Sequence, residues 1–188
     1  QQGQNGTWEF YFREPDSRIR HYFPDLDDTT LIAWYLKKTG KPFNADLVKT
    51  SISANKKDGK YFTYLRDYQA PMPQTWNVDP VVNAQVMMLN GVPERDVCSF
   101  IHDEVAYQKT PSIYYRDRVI LLYMLSRPYA NGISCIKKSI ELLYREALAR
   151  QDADGSLGSP LRTAAFVTAS INSHSGESVA VKKAVSWL

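Results

Sequence analysis

Along the 188 residues, apolar side chains return at helical spacing in eight stretches, near 28–39, 45–54, 79–90, 94–107, 114–127, 133–150, 160–172 and 178–188. Between them lie breakers such as Thr39-Gly40-Lys41-Pro42, Gly91-Val92-Pro93 and Asn131-Gly132, whose glycines and prolines end one helix before the next begins. The pattern predicts an all-α protein of eight helices in antiparallel pairs. One stretch breaks it: residues 55–76, from Asn55-Lys56-Lys57-Asp58-Gly59-Lys60 through Pro71 and Pro73 to Trp76, read as a short extended segment or hairpin and a long loop. Loops of that length in compact domains are usually functional or mobile.

A repeat runs beneath the helices. Gln2-x-x-x-Gly6-x-Trp8 comes early, Gln151-x-x-x-Gly155-x-Leu157 recurs late, and Lys183-Ala184-Val185-Ser186-Trp187-Leu188 closes the chain. A glutamine ahead of a glycine turn caps a neighbouring helix end with its amide, and a tryptophan two residues later staples adjacent helix pairs. Gln2, Trp8 and Gln151 are therefore read as structural.

The strongest chemical signal is Pro24-Asp25-Leu26-Asp27-Asp28-Thr29-Thr30, three carboxylates within four positions, just ahead of Leu31-Ile32-Ala33-Trp34. Each negative charge destabilises the next, so at least one Asp should hold its proton above the usual range, while the free N–H groups of a helix start oppose part of that shift. A neutral Asp at pH 7 is a Brønsted acid awaiting a substrate; three acids in a first turn are more often an ordinary cap or a solvated loop.

Composition narrows the classes. A net charge of +3 is too mild to argue for nucleic acid, and the basic residues come in scattered pairs such as Lys37-Lys38 and Lys137-Lys138. No apolar run approaches the length of a membrane span, and one domain is expected over 1–188. Cys98 and Cys135 lie far apart without a CxxC pattern, which points away from a disulfide framework or zinc knuckle and towards a reducing cytoplasm. Cys98-x-x-x-His102 has helical spacing but no third ligand, and His21 stands four residues before the acidic run. Asp79 before Pro80 reads as a helix cap, and Asn83, among Val81, Val82, Ala84 and Val86, needs a buried partner.

The repeat and the acidic run together resemble the squalene-hopene cyclases and related class II terpene cyclases. Residues 2–8 are similar to the second half of that family's Gln-Trp repeat and residues 183–188 to its first half, while Asp25-Leu26-Asp27-Asp28-Thr29 resembles its DxDD motif. Residues 76–86, Trp76-Asn77-Val78-Asp79-Pro80 onward, look like a segment accompanying DxDD in bacterial members. Pro160-Leu161-Arg162-Thr163-Ala164 resembles a Pro-Leu-Asp-Thr-Ala that follows their late glycine turn. Two departures stand out: Leu157 replaces a stapling Trp, and Arg162 stands where an Asp is common.

The resemblance implies an α/α toroid, the β-type domain of a cyclase that protonates a linear isoprenoid. It casts Asp27 as proton donor, with Asp25 and Asp28 orienting it. Trp34, Trp76, Asn83, Tyr61, Tyr64 and Tyr115 become candidates for the substrate cavity, with Tyr114 and Tyr123 behind them, since aromatic faces stabilise cations. Arg162 becomes a candidate for a diphosphate, as do Lys56, Lys57, Lys60, Arg66, Arg116 and Arg118. Protonation requires no cofactor or protein-bound metal; Mg²⁺ enters only with a diphosphate substrate such as farnesyl diphosphate. Eight helices make about two-thirds of a twelve-helix barrel, so a piece of a longer polypeptide with further domains is expected, the phosphatase-fused drimane-type cyclases being one such arrangement. The alternatives are a non-catalytic helical toroid that binds a partner or prenyl group, and a protein prenyltransferase β subunit, which needs zinc.

Overall fold

The computed structural model describes residues 2, 6–8, 24–65, 78–174 and 176–188. Among them are eight α-helices: α1 (Leu26–Lys38), α2 (Ala45–Ala54), α3 (Pro80–Asn90), α4 (Arg95–Tyr107), α5 (Arg118–Ala130), α6 (Lys137–Ala149), α7 (Pro160–Asn172) and α8 (Val179–Trp187). The expected all-α class holds, and most predicted boundaries fall within two residues of the observed ones. The exceptions are α5 and α6. Asp117 caps α5 by accepting from the N–H groups of Val119 and Ile120, and the helix runs on through Pro128. The stretch predicted as one helix from 133 begins with a 3₁₀ turn, Ser134–Ile136, before α6.

The odd-numbered helices form a row in which α1 packs on α3, α3 on α5 and α5 on α7. The even-numbered ones lie beside them, α2 on α1, α4 on α3 and α6, α6 on α5 and α8 on α7. Composition sets this order. Helix α3, PVVNAQVMMLN, carries no charge and is buried from Pro80 to Leu89, as a helix apolar on every side must be. In α4 and α6 single stripes face inward, Val97, Ile101 and Val105 in one and Ile140, Leu143 and Ala147 in the other, and charged faces are left outside.

Asp58 and Gly59, both at positive φ, close a two-residue hairpin pairing β1 (Lys56–Lys57) with β2 (Lys60–Tyr61). The chain after it runs antiparallel to the start of α1 through the Asp25–Tyr64 bridge and meets the approach to α3 through the Phe62–Val78 bridge. Segment 61–65 is thereby wedged between the N-terminal ends of α1 and α3.

One expectation is corrected. Cys98 and Cys135 form a disulfide, Cα–Cα 5.9 Å, tying α4 to the 3₁₀ turn ahead of α6. Sequence separation hid the pair, because the rest of α4, the 108–117 loop and α5 lie between them. Disulfides persist in oxidising compartments, so the expectation of a reducing cytoplasm loses its ground. No helix among the described residues is long and apolar enough to cross a membrane.

Candidate functional site

The repeat proves to be a physical unit present twice. Gln2 donates from Nε2 to the Gly6 carbonyl at 2.9 Å, and Gln151 donates likewise to Gly155 at 2.9 Å. Gln2 also accepts from the Asn44 N–H at the start of α2, and Gln151 donates to the Ala180 carbonyl in the first turn of α8. The Trp8 N–H is received by Thr29 Oγ1 at 3.1 Å, and the Leu157 N–H by Thr163 Oγ1 at 3.0 Å. Gly6 and Gly155, both at positive φ, lie so close to α2 and α8 that a Cβ would fall 2.4 Å from Leu47 Cβ and 2.5 Å from the Lys183 carbonyl carbon. The structural reading of Gln2, Trp8 and Gln151 matches these contacts.

Within the first unit, the three carboxylates occupy the first turn of α1. Asp25 is its N-cap, Oδ1 accepting from the Asp28 N–H at 2.8 Å. Asp27 points elsewhere: its Oδ2 accepts a 2.7 Å hydrogen bond from the Tyr115 hydroxyl, contributed by the loop between α4 and α5. Asp27 Oδ1 and Asp28 Oδ2 are buried without a partner among the described residues. Gln85 of α3 accepts from the Thr30 hydroxyl at 3.2 Å and helps to hold Asp27 in its charged form.

Burial dominates the electrostatics. It pushes Asp25 up to about 7 against its hydrogen bond from the Asp28 N–H, with the negative Asp28 and Asp27 adding to the rise. Asp28 rises to about 6 through burial and then through Asp27. Burial also raises Asp27, while the Tyr115 hydroxyl, the Gln85 amide and the Arg127 guanidinium of α5 pull it back down. The triad therefore titrates as a group that retains a proton near neutral pH.

The remaining candidates divide. Tyr115 is in the cluster, and Tyr64 adjoins it through the bridge to Asp25 and an edge-on contact with Tyr114 at 6.4 Å. Trp34 is half-buried against the core on the same helix as the acids. Asn83 makes all its described bonds to backbone, receiving the Tyr61 N–H at 2.8 Å and donating to the carbonyls of Tyr61 and Asp79. The Tyr61 hydroxyl turns to Glu94, which also holds Lys56. Arg162 pairs with Asp117 at 2.6 Å, and Arg118 grips Glu146 and the Val105 carbonyl. Lys60 lies over the Phe100 ring. Trp76, Arg66 and His21 lie outside the described residues. With Cys98 in a disulfide, the Cys98/His102 pair lacks the thiolate that a metal site would use.

Sequence reasoning missed Gln85, Ser112 and Arg127. The signal for Gln85 was present, an amide in an otherwise apolar run beside the Asn83 that was noticed. Ser112 and Arg127 carried none, because their roles depend on how the α4–α5 loop and α5 meet α1. Compared with protein-family models, with curated proteins and with solved structures, the chain finds no match.

Proposed function

We propose that this chain is the β-type α/α-toroid domain of a class II terpene cyclase, in which Asp27 protonates a linear isoprenoid and so starts its cyclisation. The observation that carries the reading is the division of labour on one half-buried carboxyl group. Oδ2 of Asp27 accepts from Tyr115, while Oδ1 is buried with no hydrogen-bond partner among the described residues, the Gln85 amide acting on the carboxyl group from nearby. Protonating an alkene needs an acid that stays protonated at rest and yet gives its proton up readily. Burial raises Asp27 in the direction of the first property, and hydrogen bonds to the developing carboxylate supply the second. In the reaction the Oδ1 proton passes to a terminal alkene carbon, the ring closes as further double bonds attack the cation, the product cation finally loses a proton to water, and solvent returns a proton to the Asp27 carboxylate. Tyr115 strengthens its bond to Oδ2 as charge appears there. Asp25 fixes the helix start, and Asp28 holds a like charge close by.

The row of odd-numbered helices flanked by even-numbered ones supports the toroid reading. A prenyl diphosphate such as farnesyl diphosphate is the proposed substrate, with Mg²⁺ carried on its phosphate oxygens and the remainder of the cavity supplied by further parts of the polypeptide.

The experiment is incubation of the longest natural form of the protein, and of its Asp27→Asn variant, with geranyl, farnesyl and geranylgeranyl diphosphates, squalene and Mg²⁺, followed by mass spectrometry. Cyclised product from the parent alone supports the reading. The same product from both discards Asp27 as the acid, and no product from a folded parent favours the binding toroid.

A further inference from the structure

The loop between α4 and α5 has no ladder of its own, yet it delivers the Tyr115 hydroxyl onto Asp27. Ser112 gives it shape. Its Oγ accepts from the N–H of Tyr115 at 2.8 Å and from that of Tyr114 at 3.2 Å, and donates to Asp79 Oδ2 at 2.6 Å. Asp79 is itself fixed, since its Oδ1 accepts from the Val81 N–H at 2.8 Å as the N-cap of α3. Ser112 and Asp79 are each 1% exposed, so neither hydrogen bond competes freely with water. Three residues therefore form a continuous path from the N-terminus of the buried central helix to the acid: Asp79, Ser112 and Tyr115, the last through its backbone and its hydroxyl.

We infer that Asp79 and Ser112 are positioning residues that set the acidity of Asp27 by fixing the Tyr115 hydroxyl upon it. The inference deepens the acid role proposed for Asp27 and rests on it for its catalytic meaning. An ordinary helix cap needs only one carboxylate oxygen. Asp79 uses its second on Ser112, on a residue that lies three positions before Tyr115, and that excess over capping is what points to positioning. The path moves no proton, because Ser112 meets Tyr115 through its backbone rather than its hydroxyl.

The charged and titratable groups facing Asp27 are Asp25 and Asp28 on its own helix, Tyr115 from the loop, Arg127 from α5 and Asp79 at the start of α3. Of these, Ser112 holds two directly, Asp79 through its carboxylate and Tyr115 through its backbone N–H, and Tyr115 is the one that reaches Asp27 by a hydrogen bond. Losing the hydroxyl from Oδ2 removes an interaction that favours the carboxylate, so Asp27 should become a weaker acid.

The test follows Asp27 by carboxyl ¹³C NMR titration, assigned with Asp27→Asn, in the parent, Ser112→Ala, Tyr115→Phe and the double variant. Ser112→Ala should raise the apparent pKa of Asp27 in the same direction as Tyr115→Phe, and the double variant should go no further than Tyr115→Phe alone. Cyclase kcat should fall roughly 10–100-fold in Ser112→Ala with KM little changed, as expected for a misplaced catalytic group. Ser112→Thr, which keeps the hydroxyl, should restore both. Asp79→Asn keeps the α3 cap through its Oδ1 but presents a donor to Ser112; because it also removes a negative charge facing Asp27, its readout, if Ser112→Ala folds poorly, is that Tyr115→Phe should shift Asp27 little further in the Asp79→Asn background. An Asp27 titration that stays in place in Ser112→Ala, a Tyr115→Phe shift that is undiminished in the Asp79→Asn background, or shifts that add in the Ser112→Ala/Tyr115→Phe double variant, overturns the inference. The two proposals fail separately: cyclisation that survives Asp27→Asn removes the acid role while leaving the titration result standing, and an unmoved titration does the reverse.

Discussion

The α1–α2 and α7–α8 regions are built alike and carry different side chains at matching places. Asp25 and Ser159 are corresponding N-caps, Asn44 and Ser178 cap the second helices, and Thr29 and Thr163 receive the N–H of Trp8 and Leu157. All three pairs keep one constant offset along the chain. Two residues past the first cap, however, one unit carries Asp27 and the other Leu161. Asp27 is drawn in by Tyr115 and Gln85, whereas Leu161 is 71% exposed. One step further, Asp28 corresponds to Arg162, which is taken up by Asp117. The scaffold of the repeat thus says nothing about chemistry. What sets Asp27 apart is that α3 and the α4–α5 loop close over it, and the acid role proposed for it rests on that enclosure.

That contrast can be broken most sharply at the second position. Asp27→Asn should reduce cyclised product by up to ~10⁴-fold, the upper range for a general acid, while Leu161→Asn at the corresponding place should leave turnover within about twofold. Equal losses in product analysis would mean that the two units share the work.

The disulfide is the next largest lever, and it lies between the units rather than in either. Closing the loop from Cys98 to Cys135 is worth about 4 kcal/mol on the chain-entropy account. Cys98→Ser should lower denaturant stability by about that amount in one shared transition. Two separated transitions would show that the units unfold independently.

The glycine turns should behave alike in both units. Ala at Gly6 or Gly155 brings a Cβ into contact with backbone at positive φ, and each should cost about 2–3 kcal/mol in chemical denaturation. A tolerated Ala in one unit only would end the structural equivalence.

The smallest effect separates the two N-caps by pH. Burial raises Asp25 to about 7 and Asp28 to about 6, above the unfolded value near 3.9. The folded state therefore binds more protons over that window. The stabilisation from these groups is fully present below about pH 4 and is lost as pH rises through about 6 to 7. Asp25→Ser, which copies the Ser159 cap, should flatten the fall in denaturation midpoint between pH 4 and 8. Ser159→Ala should lower the midpoint by a similar amount at every pH.

How much of this was legible follows from range. Helix positions were, because glycine and proline breakers act on their immediate neighbours, and the Gln–Gly turns were, because their first hydrogen bond spans four residues. The α5 boundaries were displaced, since Pro128 reads as a stop but needs no N–H partner that the helix cannot spare so near its end. The disulfide, the Tyr115–Asp27 bond and the Ser112–Asp79 bond join residues 37, 88 and 33 positions apart, and no local pattern encodes them. Asn83 was noticed for its polarity, but only the structure shows its amide committed to the backbone of segment 61–65.

The most direct test of the acid role is cyclisation in D₂O. If Asp27 exchanges with solvent and then protonates the substrate, each product molecule from the parent protein should carry one deuterium at the carbon that was protonated, and Asp27→Asn should give none of it. A cyclised product that forms in D₂O without deuterium would mean that the reaction starts another way, and would contradict the assignment of Asp27 as the acid.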